Sequence, residues 1–119
     1  VSRLIRKRPA SASIAVVRLP AEIDSSNAEH VRERLCAALR PGVQIVVADL
    51  TATIFCDVAG VRGLARARNH ATAMNAEIRL AVRSGSVRRV LAIVSPGGQF
   101  LIYPSVGEAT AGHAASPLN

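Results

Sequence analysis

Between Val43 and Leu50 the chain is almost continuously apolar and rich in β-branched residues, the pattern of a mid-sheet strand covered on both faces. Residues 13–19 read as an earlier strand, left by a loop over residues 20–24. Ala28, Val31, Leu35, Ala38 and Leu39 then recur at helical spacing, with Asp24, Ser25 and Ser26 as competent N-caps and Pro41-Gly42 as the stop. Past the central strand a polar turn leads into a helix that opens at Ala59-Gly60. Its apolar positions are Val61, Leu64, Ala67, Ala71 and Met74, and Asn75 tolerates the left-handed conformation of a C-cap. Residues 76–83 alternate, which predicts a strand with Ile78, Leu80 and Val82 toward the core and Arg79 and Arg83 toward water. Ser84-Gly85-Ser86 supplies a turn and N-cap for a third helix, with Val87, Val90, Leu91 and Val94 inward and Pro96-Gly97-Gly98 closing it. Residues 100–103 give a short strand, and Glu108-Ala109 begin a terminal helix.

Strands alternating with helices across short loops predict an α/β fold around a mostly parallel central sheet of four to five strands with right-handed crossovers. In such sheets binding residues gather in the loops at the carboxyl ends of the strands. The loops at residues 20–26, 51–60 and 84–86 are therefore expected to share one end of the domain, the expected functional face.

Composition narrows the function classes. At 119 residues the chain fits one domain. Half of it is hydrophobic, yet no apolar run approaches the roughly eighteen residues of a membrane span, and the basic start lacks the apolar core of a secretory signal. A cytoplasmic location without membrane insertion is the expectation. Fifteen Lys and Arg against eight Asp and Glu give +7, but Arg3, Arg6, Lys7 and Arg8 supply four of those charges before any predicted element. With aromatic residues at 3% there is little to stack on bases, so no nucleic-acid partner is expected. Cys36 and Cys56 form no CxxC, and His30, His70 and His113 are not grouped with them, so no metal or other cofactor is expected. There is no phosphate-cradling loop or nucleophile elbow, and no carboxylate pair beyond Asp24 and Asp57, which argues against an enzyme.

Four stretches in order carry a resemblance. They are Leu19-Pro20-Ala21-Glu22-Ile23-Asp24, Asp49-Leu50-Thr51, Phe55-Cys56-Asp57-Val58-Ala59-Gly60, and an ending with Phe100, Tyr103 and Glu108-Ala109. Together they resemble the STAS family, the bacterial anti-sigma factor antagonists and their relatives. The resemblance implies the STAS fold, with helices packed mainly on one face of the sheet. It divides the chain into a basic N-terminal arm at residues 1–12, a STAS domain at 13–109 and a flexible tail at 110–119. Leu4-Ile5-Arg6 is the candidate for an antiparallel edge strand.

The resemblance also implies a role: binding an anti-sigma factor of the histidine-kinase-like ATPase type and so regulating a sigma factor. Its contact residues would be Asp24, Asp57, Val58, Ala59, Gly60, Arg62 and Arg66. Val58 and Ala59 stand where the family carries two serines, and Ala59 is the degenerate phosphosite. An alanine there fits a constitutively active antagonist, a switch moved to another residue, or a degenerate scaffold. Thr51, Thr53, Ser84 and Ser86 are the alternative phosphosites, each also readable as a turn or cap residue. Asp57 reads as a helix cap, a partner contact, or both. Cys56 reads as a packing cysteine or, beside a helix N-terminus, as a redox thiol of lowered pKa. A disulfide between Cys36 and Cys56 is disfavoured, since Cys36 lies about ten residues, or roughly 15 Å, down the first helix. Arg62 and Arg66, with Asn69 and His70, form a polar face of the second helix, solvated or facing an acidic patch on a partner. The competing functions are a STAS subunit of a larger assembly, such as a lipid-transport ABC system or a stress complex, and slow nucleoside triphosphate hydrolysis. Monomer and homodimer both remain open.

Overall fold

The computed structural model describes residues 13–94 and 100–111. In chain order the elements are β1 (Ser13–Arg18), β2 (Glu22–Ile23), α1 (Ala28–Ala38), β3 (Val43–Leu50), β4 (Phe55–Cys56), α2 (Val58–Ala73), β5 (Glu77–Val82), α3 (Gly85–Val94), β6 (Leu101–Tyr103) and α4 (Val106–Ala111). Four strands form one parallel sheet in the order β1-β3-β5-β6. The long apolar run therefore lies between two neighbours, as its composition requires. Its register sets Ala48 beside Leu80, and Leu80 beside Ile102.

Side chains alternate across the sheet, so each face builds its own core. On one face Val46, Ala48, Leu50, Ile78, Leu80 and Val82 meet Val31 and Leu35 of α1, Val61, Leu64, Ala67 and Ala71 of α2, and Val87 and Leu91 of α3. On the other, Ile45, Val47, Ala81 and Tyr103 pack with Ala109 of α4. Three helices thus cover one face and one short helix the other.

Several local expectations are corrected. Arg79 does not face water: it is 6% exposed, because α4 covers that side of β5, and it pairs there with Glu77. The strand is protected on both faces. Met74 is not in the core. It is the C-cap of α2 and 45% exposed, with Asn75 following at φ 60°. The N-cap of α1 is Asn27 rather than Asp24, Ser25 or Ser26. The loop at residues 20–24 contains β2, which pairs in parallel with β4 as a separate two-stranded unit. The basic arm with Leu4-Ile5-Arg6, the closure at Pro96-Gly97-Gly98 and the tail with His113 lie outside the described residues.

Candidate functional site

The β2–β4 pair sits at the carboxyl ends of β1 and β3 and fastens their two loops together. Glu22 pairs with Phe55 and Ile23 with Cys56. The Ala21 carbonyl accepts from Ile54 N at 2.8 Å, the Ile23 carbonyl accepts from Asp57 N at 3.2 Å, and buried Thr53 donates its hydroxyl to the Pro20 carbonyl at 2.7 Å. The third predicted loop joins through α3, which packs against β4 and α2. The three loops do share one end.

Asp57 caps α2: its Oδ1 accepts from Gly60 N at 3.0 Å, which satisfies one of the free amides of the first turn. Asp24 leaves the paired strands beside it but is turned into its own loop. There it accepts from Ser26 N at 2.9 Å and from the Ser26 hydroxyl, bonds that hold its carboxyl below the usual range. Each carboxylate is thus engaged in a local hydrogen bond, Asp24 within its own loop and Asp57 at the helix start.

Gly60 is buried, and a Cβ built on it would lie 2.7 Å from Cys56 Sγ and 2.9 Å from Ile23 Cγ2. Gly63 is buried one turn later, where a Cβ would lie 2.9 Å from the Ala28 carbonyl oxygen. These two glycines let the start of α2 press against β2, β4 and the start of α1. Gly60 therefore lies beneath the surface that the sequence assigned it to. Val58 is 45% exposed and Ala59 half-buried beside it. Ile54 and Phe55, 65% and 49% exposed, are further large apolar side chains left open at the same junction. Ile54 was not recognised from sequence as a site residue, and Phe55 was read only as a family marker. The available signal was two large apolar residues inside a polar turn, where no helix or strand periodicity called for them.

Arg62 and Arg66 are both exposed, and Arg66 also lies 3.6 Å from the exposed Glu29 of α1. Glu29 also binds Arg32, a bond that holds its carboxyl low. Asn69 and His70 are exposed further along the same helix. Arg68, not singled out from sequence, stacks 4.9 Å above the Phe100 ring, and its burial lowers its pKa.

Among the alternative phosphosites, Thr53 is fully buried with its hydroxyl engaged, which removes it from reach. Thr51 is half-buried and donates to Asp49 Oδ1 at 2.6 Å. Ser84 caps α3 by accepting from Val87 N at 3.2 Å, and its hydroxyl lies 2.9 Å from that of Ser86, which is exposed. The surroundings of Cys56 match the packing reading rather than the redox one. The thiol is 2% exposed, and burial, with the Asp57 carboxylate beside it, pushes it up to about 11 rather than down. Both cysteines are free. Among the described residues no three His, Cys, Asp or Glu side chains converge on a metal site, and no helix is long and apolar enough to cross a membrane.

A family model described as STAS domain matches residues 7–109. Comparison with curated protein sequences finds no match. Among solved structures, the unphosphorylated form of the anti-sigma factor antagonist SpoIIAA is 21% identical, with a TM-score of 0.67, over 87% of this chain and 90% of that one. An anti-sigma factor antagonist from Mycobacterium paratuberculosis is 20% identical, with a TM-score of 0.69, over 87% of each chain. The murine anion transporter Slc26a9 is 16% identical with a TM-score of 0.70; the match takes in 92% of this chain but 19% of the transporter. At these identities the likeness is one of fold.

Proposed function

The chain belongs to the STAS domain family, and from that premise we propose that it is a non-catalytic binding module of the anti-sigma factor antagonist type. The module takes in residues 13–109 and the end of α4 at Ala111, two residues beyond the boundary expected from sequence. Its partner is an anti-sigma factor with a histidine-kinase-like ATPase fold, met in the cytoplasm, and the contact releases a sigma factor. The observation that carries this reading is the apolar surface of Ile54, Phe55 and Val58, exposed at the carboxyl end of the sheet. Three large apolar side chains exposed within five positions, just before β4, on it and at the first residue of α2, suit burial against another protein. Ala59 and Arg62 border it. Asp57 and Gly60 set the start of α2 on which Val58 stands, and Asp24 and the exposed Arg66 complete the proposed contact set. With alanine at position 59 no phosphate can be added there, so docking is not switched off at that residue. The engaged states of Asp24 and Asp57 support a module without hydrolytic activity.

The test is titration of purified anti-sigma kinases with the wild-type chain and with Ala59→Asp and Val58→Asp. Each substitution puts a charge into the contact and is expected to weaken binding by at least tenfold. Equal affinity for all three forms would sink the proposed face. With ATP present, no label is expected at position 59.

A second reading is supported by the match to a domain within the Slc26a9 transporter: the chain serves as the STAS subunit of a larger assembly. Copurification with a membrane or ABC-type complex in place of an anti-sigma kinase separates the two.

A further inference from the structure

The sheet face opposite α1–α3 carries a polar cluster that the docking end does not use. Glu77 and Arg79 lie on it together, two residues apart in β5. Arg79 Nε donates to Glu77 Oε2 at 2.6 Å and Nη1 donates to the Ala109 carbonyl at 2.9 Å, with the guanidinium 5.8 Å from the Tyr103 ring centroid. A buried cation thus reaches out of the sheet and holds α4 by its backbone. The apolar contribution of the helix to the sheet is small. Ala109 is its one buried residue, Val106 is half-buried, and Ser105 accepts from Glu108 N at 3.0 Å to start it. Also on this face, the Tyr103 hydroxyl is buried with no hydrogen-bond partner among the described residues. A hydroxyl stripped of water and given nothing in return destabilises the closed arrangement, and it recovers water when the cover lifts.

The geometry points to α4 as a hinged strap: it lifts from the sheet as a unit while β1–β6 and α1–α3 stay folded, with the Arg79–Ala109 hydrogen bond as its catch. The hinge is Pro104-Ser105, between β6 and the helix. Lifting uncovers Ile45, Val47, Ala81 and Tyr103. In register beside Val47 lies Val16, already 49% exposed, and beside Ile45 lies Ile14, so the open state presents an apolar strip across β1 and β3, bordered on β5 by Glu77 and Arg79. This face is remote from the apolar surface at the carboxyl ends, and the strap does not depend on the partner reading.

Native-state hydrogen exchange on the full chain, followed across sub-denaturing urea, tests it. The amides of residues 109–111 should exchange through an opening nearly independent of urea and at least tenfold faster than those of β3 and β5. Tyr103→Phe removes the orphaned hydroxyl and should slow α4 exchange by about fivefold or more, leaving β3 unchanged. Arg79→Met should speed it. Ordinary fraying of a helix end would not respond to Tyr103→Phe. The chain has one tyrosine and no tryptophan, so acrylamide quenching of tyrosine fluorescence reads the same opening in the wild type and in Arg79→Met. The strap is refuted if residues 109–111 share the rate and urea dependence of β3, or if Tyr103→Phe leaves their exchange unchanged. If Arg79→Met does not fold, the Tyr103→Phe comparison decides.

Discussion

Replacing Gly60 by alanine tests how tightly α2 is seated on the paired strands. The added methyl would lie 2.7 Å from Cys56 Sγ, 2.9 Å from Ile23 Cγ2 and 3.0 Å from the Ile23 carbonyl oxygen, where carbon contacts favour about 3.5–4.0 Å. The Ile23 side chain has nowhere to go, being fully buried, and its carbonyl is fixed by accepting from Asp57 N. Either the first turn of α2 shifts outward or the β2–β4 pair spreads. Overpacking of this kind costs about 1–3 kcal/mol. Alanine gains at most about 1 kcal/mol over glycine in helix propensity, so the clash wins and a net loss of about 1–2 kcal/mol is expected. Urea unfolding followed by circular dichroism would show it as a lower midpoint at unchanged slope. Adding Cys56→Ala removes the sulfur contact but leaves both contacts to Ile23. The double variant should therefore lose less than the sum of the two single changes without returning to wild type. A Gly60→Ala midpoint equal to or above wild type would refute the close-approach argument, because it would mean the helix start has slack.

The same junction yields two more expectations. Asp57→Ala removes the cap on Gly60 N and should cost about 1 kcal/mol in urea unfolding, while Asp57→Asn, which keeps an acceptor, should lose only a few tenths. Cys56 bears on the alkaline limit: its thiol is raised from 9.0 to about 11 in the fold, so its contribution is complete below pH 9 and is lost as pH climbs toward 11. Unfolding midpoints measured from pH 8 to 11 should fall by the equivalent of roughly 2 kcal/mol more in wild type than in Cys56→Ala. A thiol reagent at neutral pH should correspondingly label half-buried Cys36 well before Cys56.

Periodicity was enough to place the main sheet and its helices, because each element is long and has one consistent pattern of burial. It failed where a tertiary neighbour changed the meaning of a position. Arg79 alternates like a solvent-facing residue, and only α4, six residues long and 24 positions after β5, makes that face an interior. The residues 20–23 and 54–57 looked like loops because strands of two residues have no period to detect; what makes them strands is each other. Family likeness singled out the junction at residues 55–60, but likeness does not sort roles. The structure separates Gly60, which must be small, and Asp57, which caps, from Val58, which faces outward. Ile54 escaped notice because an exposed apolar residue carries meaning only once its neighbours in space are known.

The stitching of residues 20–23 to residues 53–57 also bears on how the chain reaches this shape. The Thr53–Pro20 hydrogen bond spans 33 positions, and the intervening chain holds the whole of α1 and β3. Contacts so far apart in sequence carry a closure cost that nearby pairings do not. Opening of α1 or β3 therefore also releases the β2–β4 pair on which Phe55 stands. On the proposed reading, a partner docked there would hold only copies whose first half is intact, so binding would report on the integrity of the domain.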